Sequence, residues 1–292
     1  MLIAPQLLNL LLMLAIVIGF YGEQWEMLMG KPIILPLPMA RKKSATSSKL
    51  FAVLILAVTL LLAIMLFHRY RPKPSRVHYD AFGIAMPTQY QLHGIDVSRY
   101  QKTIGWQLVK EMEVDGISIS FAFIKATEGT LKKDPQFERN WQQAAAQKMV
   151  RGAYHYFLPS KNGKAQAQHF IQNVSLSSGD LPPVLDIEET HGLSKTVLLQ
   201  QLNAWVSEVE QHYGIKPIIY TNAHFYEKYL AGSFDHYPLW VAHYQQQDQP
   251  RIGRHWHFWQ HSETGRVNGI DAPVDLNVFN GNIIDFENLL LP

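Results

Sequence analysis

The sequence predicts an α/β fold. It reads as an irregular (β/α)5(β)3 TIM-like barrel, preceded by one or more N-terminal membrane segments. Three observations predict this. From His93 onward, about eight short apolar runs alternate with helical patterns, and alternation of that kind argues for a parallel sheet. The first five runs are each followed by a helix and the last three have little helix between them, which suggests a closed barrel with a reduced final part. An open doubly wound sheet is the alternative. The third observation is Leu50 to Phe67, an uncharged apolar stretch that would rise roughly 27 Å as a helix, close to the thickness of a bilayer's hydrocarbon core.

The barrel elements follow in order. HGIDV (93–97) is a strand ending near Asp96, and Trp106 to Val114 is helical. FAFIKAT (121–127) is a strand. Asp134-Pro135 is read as a cap followed by proline in the first helical turn, opening a helix to about Met149. GAYHYF (152–157) is a strand, and Lys164 to Val174 a helix. PVLDIE (183–188) is a buried strand. Ser194 caps a helix that puts Val197, Leu198, Leu202, Trp205, Val206 and Val209 on one side. PIIYT (217–221) leads into a helix near Ala223–Leu230. LWVAHY (239–244), HFWQH (257–261) and VDLNVF (274–279) complete the strands.

The N-terminal third reads differently. Residues 1–76 hold 9 Lys/Arg and 2 Asp/Glu, and the remainder 17 and 22, so the +2 net charge hides balances of +7 and −5. An acidic main body argues against a nucleic-acid partner. A basic excess beside apolar runs reads as membrane topology. A weaker apolar run, Leu7 to Phe20, is a candidate second span, and a start at Met39 would make 39–67 a signal anchor. Either reading expects an uncleaved anchor in the inner membrane, with the large domain facing the periplasm or cell wall. The expected divisions are 1–49 (apolar and basic), 50–67 (anchor), 68–91 (linker) and 92–292 (barrel). Cysteine is absent, which excludes disulfide scaffolds and thiolate chemistry. No phosphate-binding glycine motif follows a strand, and no cofactor is expected.

In a barrel of this type, carboxyl-terminal strand ends face the active site. Those ends carry Asp96, Lys125, Glu128, His155, Asp186, Glu188, Tyr220, His243, Tyr244, Gln260 and Asp275. Carboxylates placed together raise one another's pKa, and such a cluster fits general acid–base work on a sugar bond. Asp186-Ile187-Glu188 carries most weight. Residues i and i+2 of a strand share a face roughly 6.5–7 Å apart, so both carboxyls enter one cleft while Ile187 packs away. That suits a pair acting from one side: Glu188 as general acid, Asp186 orienting a group such as a 2-acetamido arm. Tyr154, Tyr156, Tyr220, Trp240 and Tyr244 are candidates to stack on sugar rings, and Gln260 to hydrogen-bond them. His155 is read as structural, and Lys125 with Glu128 as an ion pair. His255, His257 and His261 lack a correctly placed further ligand, so no metal is expected.

The segments HGIDVSRYQ (93–101), FAFIKATEG (121–129), RGAYHYF (151–157), PVLDIE (183–188), PIIYT (217–221), LWVAHY (239–244), FWQHS (258–262) and GIDAPVDLNVFNG (269–281) together resemble family 25 glycoside hydrolases, the Chalaropsis-type lysozymes. The resemblance covers residues 92–281. It implies an irregular barrel of five βα units and three strands. It also implies N-acetylmuramidase activity on the β-1,4 bond of peptidoglycan, with Asp96, Asp186, Glu188 and Asp275 as acidic site residues and Glu188 as acid/base. A non-catalytic peptidoglycan-binding module of the same fold and a hydrolase of another acetamido-sugar polymer are the competing readings.

Overall fold

The computed structural model describes residues 45–69 and 75–292. The chain divides into two units, Met1–Arg71 and Pro72–Pro292. In the first, helix α1 (Ala45–Arg69) covers the long apolar run. Among the described residues, however, no helix is long and apolar enough to cross a membrane. The expected anchor at 50–67 is therefore corrected. With it go the membrane as a partner and the inner-membrane location with an outward-facing domain. The second apolar run at Leu7–Phe20 and the start at Met39 lie outside the described residues.

The second unit begins with a hairpin, β1 (Arg76–Tyr79) and β2 (Ile84–Pro87), paired antiparallel. Eight barrel strands follow: β3 (His93–Val97), β5 (Ile117–Glu128), β7 (Val150–Tyr156), β8 (Val184–Asp186), β9 (Ile218–Asn222), β10 (Leu239–Ala242), β11 (Phe258–Val267) and β12 (Ile270–Phe279). Two two-residue strands, β4 (Glu113–Val114) and β6 (Lys132–Lys133), pair with β5. Around the barrel the order is β3-β12-β11-β10-β9-β8-β7-β5, and a β3–β5 pairing closes it. Neighbours are parallel except at β12, which is antiparallel to both β11 and β3. The eight strands expected from sequence are all present.

Strand alternation sorts side chains into two cores. Phe121, Phe123, Val184, Ile218, Trp240, Phe258 and Phe279 fill the barrel. Ala122, Ile124, Leu185, Ile187, Ile219, Leu239, Val241, Leu276 and Val278 point outward against the surrounding elements. Gly94 is required inside, because a Cβ there would come within 2.3 Å of the Phe121 ring. At the lower end, Phe286 of α7 (Ile283–Glu287) packs on Phe279, Phe121 and Phe258 at 5.1, 5.5 and 6.3 Å between ring centres. The floor is thus sealed and only the upper end is open.

Helices α2 (Trp106–Glu111), α3 (Phe137–Ala146), α4 (Gly163–Asn173) and α5 (Lys195–Tyr213) cover the early strands, and the short α6 (Ala223–Phe225) follows β9. In α5 the Ser194 hydroxyl accepts from Val197 N–H, Leu198, Leu202, Trp205, Val206 and Val209 are buried, and Gly214 ends the helix at φ 71°. That is a Ser cap, an i/i+4/i+7 apolar stripe and a left-handed glycine stop. Helix α3 starts later than expected. Asp134 spends its oxygens on Gln136 N–H and, across the chain, Arg99 N–H, so it braces the turn after β3 and is not the cap.

Residues 76–91 are not a tether. Phe82 and Met86 are fully buried and join the same outer core as Val267, Val274 and Leu276, and Phe82 O accepts the Arg266 N–H of β11 at 2.9 Å. The hairpin covers barrel wall for which the described residues supply no helix.

Candidate active site

The upper end holds a cleft of about 210 Å³, lined among others by Asp96, Lys125, Tyr154, Tyr156, Asp186, Glu188, Tyr220, Trp240, Gln260 and Asp275. The four carboxyl groups expected from sequence meet there. The register does this directly: Asp275 of β12 stands opposite Asp96 of β3, and Asp186 of β8 opposite Tyr220 of β9.

Asp96 is buried and accepts two amide donors on one oxygen, Gln260 Nε2 at 2.8 Å and Asn277 Nδ2 at 2.7 Å. Asn277 Oδ1 in turn accepts the Trp240 indole N–H at 2.8 Å. Gln260 Oε1 accepts the hydroxyls of Tyr220 (2.8 Å) and Tyr244 (2.7 Å). Burial pushes both Asp96 and Asp275 up from the ordinary carboxylate range, but the amides and the contact with Asp275 pull Asp96 back. For Asp275 the charge of Asp96 and the contact with it add to burial. The two amide donors on one oxygen favour the charged form of Asp96, and a charge there favours a protonated Asp275 beside it.

A similar asymmetry governs the other pair. Strand β8 ends at Asp186. Ile187 packs outside at 0% exposure, and Glu188 stands exposed at the rim. The two carboxyls keep the same-face relation of an extended chain. Burial first, then the charge of Glu188, raises Asp186 well above its ordinary value, with Lys125 opposing. Glu188 is raised as well, by the cleft walls stripping its hydration and then by Asp96 and Glu189, while its contact with Asp186 lowers it. Lost hydration leads, and the neighbouring carboxylates add to it as the sequence suggests. Asp186 Oδ1 is buried, and among the described residues no hydrogen-bond donor reaches it.

The aromatic candidates separate by depth. Tyr154 and Tyr156 are half-buried cleft walls. Tyr220 and Trp240 are nearly buried, and Trp240 is sandwiched between Phe123 and Tyr220 at 4.1 and 4.4 Å. Trp240 is a floor, not a platform. Tyr244 acts on the cleft through Gln260. Lys125 bonds Glu128 at 2.9 Å and lies over the Tyr156 ring. Glu128 also takes Lys132 at 2.8 Å, and these partners draw it down to about 2 against the opposing effect of burial.

Two rim residues point elsewhere. His155 lies outside the barrel between Thr127 Oγ1 (2.7 Å) and Gln166 Oε1 (3.2 Å), stacked on Trp205. Burial drops it to about 3, so it is a neutral structural ring. His243 Nδ1 accepts from Arg251 N–H. The rings of His255 and His257 adjoin at 4.8 Å, but among the described residues no group of three His, Asp or Glu is placed to hold a metal.

Sequence reasoning did not single out Asn277, Ser98, Tyr100 or Gln101. Asn277 had a signal: it is two residues from Asp275 on one strand and so shares its face. Ser98 and Gln101 form a capping box in the turn after β3, and with Tyr100 they line the cleft. S-R-Y-Q fits the S-x-x-Q pattern of such a box.

The family model for glycosyl hydrolases family 25 matches residues 95–270. The chain belongs to this family. It is 49% identical to YegX of Escherichia coli K12 over 221 residues, 76% of this chain and 79% of that one. It is 38% identical to lysozyme M1 of Streptomyces globisporus over 211 residues, 65% and 68% of the two chains. Among solved structures, a family 25 glycosyl hydrolase from Bacillus anthracis superposes with TM-score 0.65 at 31% identity, covering 75% of this chain and 99% of that one. A bacterial lysozyme from Streptomyces coelicolor gives 0.62 at 36%, covering 69% and 98%. The chain is thus a glycoside hydrolase of the lysozyme and muramidase type.

Proposed function

We propose that this family 25 chain hydrolyses the β-1,4 bond from N-acetylmuramic acid to N-acetylglucosamine in peptidoglycan, with assistance from the substrate's own acetamido group. The observation that carries this is the Asp186–Glu188 pair on one wall, in which the buried Asp186 oxygen has no donor. An acetamido N–H supplies one. Accepting it favours the Asp186 anion and hands the shared proton to Glu188, which is then the acid. Glu188 protonates the leaving oxygen as the bond from the anomeric carbon breaks, and the acetamido oxygen closes on that carbon. Water then opens the ring, giving its proton back to Glu188. Asp275, neutral beside anionic Asp96, offers a hydrogen-bond donor. Tyr154 and Tyr156 wall the sugar site.

The test is digestion of purified peptidoglycan by the full chain beside Glu188→Gln, with products read by mass spectrometry. Muramic acid at new reducing ends from the parent alone is expected. Binding without release by the parent would overturn the hydrolase in favour of a binding module. Release from a chitin-like polymer but not from peptidoglycan would move the substrate. A fluorosugar adduct on Asp186 or Asp96 would sink the substrate-assisted route.

A further inference from the structure

We propose that Arg76, on the N-terminal hairpin, is a positioning residue for the cleft: it clamps the loop after β10 so that Tyr244 reaches Gln260. The inference rests on the muramidase reading for its activity assay, but its geometry does not depend on it. The hairpin lies before residues 95–270, the part matched by the family model.

The loop after β10 has little to hold itself. Gln245, Gln247, Asp248 and Gln249 are exposed, and Gln245 sits at φ 59°. A non-glycine residue in that region is held only where its surroundings fix it. The fixing groups come from the N-terminal segment. Arg76 Nε donates to the carbonyls of Gln246 (2.9 Å) and Gln247 (3.2 Å), while Nη1 donates to Ala85 O (2.6 Å) inside the hairpin. Tyr90 Oη (3.0 Å) and Gln89 Nε2 both donate to Asp248 O. The guanidinium also covers the Trp259 ring at 5.1 Å, and Trp259 Nε1 donates to His243 O at 2.9 Å. Arg76 therefore grips the loop on both sides of Gln245. A planar fork serves carbonyls and an aromatic face at once, which a lysine does not. From Tyr244 the path continues at 2.7 Å to Gln260 Oε1, and from Gln260 Nε2 at 2.8 Å to Asp96. Without the clamp the carbonyls of Gln246 and Gln247 lose their donor, Gln245 relaxes, and Gln260 Oε1 keeps only the Tyr220 hydroxyl.

The test is a double-mutant cycle in the full chain with Arg76→Met, Tyr244→Phe and the double variant. Turnover of peptidoglycan is read together with hydrogen exchange of the 243–249 amides. Arg76→Met is expected to lower kcat by roughly tenfold or more, as misplacement of a site group does, with KM little changed. In the Tyr244→Phe background the same substitution is expected to cost almost nothing. Arg76→Lys should recover part of the loss. An equal factor in both backgrounds, or parental kcat in folded Arg76→Met, overturns the proposal. If Arg76→Met does not fold, Tyr90→Phe replaces it in the cycle with the same two outcomes. If the parent does not cleave peptidoglycan, the functional reading fails separately. Exchange then decides the clamp: faster exchange at 244–248 in the variant sustains it, and unchanged exchange refutes it.

Discussion

Replacing Asn277 by Asp tests the electrostatic core of the cleft. The Trp240 indole can only donate, so the Asn277 atom facing it at 2.8 Å is the carbonyl oxygen. The amide nitrogen must then face Asp96, 2.7 Å away. Asn277→Asp keeps the oxygen for Trp240 and puts a second oxygen against the Asp96 carboxylate. The variant loses a hydrogen bond to a charged group, about 1.5–3 kcal/mol. If the new carboxyl stays ionised, two charges 2.7 Å apart repel by roughly 6 kcal/mol at an effective dielectric of 20. Proton uptake relieves that repulsion, so the expected loss at pH 7 is about 2–6 kcal/mol, or roughly 6–18 °C in Tm for a domain of this size. The sign follows from linkage. The new carboxyl has a folded pKa above its unfolded one, so the penalty is small near pH 4 and grows as pH rises through the folded value. Thermal unfolding of parent and variant from pH 4 to 8 measures it. A Tm difference that is absent, or constant across that range, would show that Asp96 is not an anion held by the Asn277 amide, and the assignment of Asp275 as the proton holder would fall with it.

Asp186→Asn removes a buried carboxyl whose pKa is raised by burial and by Glu188. It should stabilise the chain by about 0.5–2 kcal/mol at pH 7 while abolishing turnover, and the gain should shrink as pH falls toward 4, where the unfolded carboxyl is protonated too. Glu188 is raised from its ordinary value and Lys125 opposes that. The alkaline limb of kcat/KM should therefore lie above the ordinary glutamate range of about 4.3, and Lys125→Met should move it to higher pH. Phe82, at 0% exposure in the hairpin, should cost about 3–5 kcal/mol when replaced by Ala; a free tether would lose nothing, and chemical denaturation distinguishes the two.

The barrel was legible because its strands obey a period of two around residues that cannot face the wrong way. In Val184-Leu185-Asp186-Ile187-Glu188 only one assignment buries Leu185 and Ile187 and keeps both acids together, and Ser194 announces α5 by its cap. The acidic site was legible for the same reason. Its proton distribution was not, because it depends on Asn277 and Gln260, uncharged residues joined to Asp96 only by register across β12, β3 and β11. Asp134 misled because an Asx residue before proline braces a turn as readily as it caps a helix. The run at 50–67 misled because hydropathy scores composition, whereas among the described residues no helix has both the length and the apolar character to span a bilayer.

The hairpin was the largest omission, and its reason is physical. Each strand is four residues long, too short for alternation to register, and the bonds that hold it down reach Gln246, Gln247 and Asp248, more than 150 residues away. Proline-rich flanks then make the segment read as a spacer. Yet a barrel whose last three strands carry little helix must cover their outer faces with something, since Trp259, Leu276 and Val278 are buried there. Phe82 and Met86 fill that role. Because the cover is drawn from sequence beside the exposed loop after β10, it also bonds that loop. The irregularity of the barrel is therefore what gives Arg76 access to the loop beside the cleft, and substitutions in the hairpin should change kinetics as well as stability.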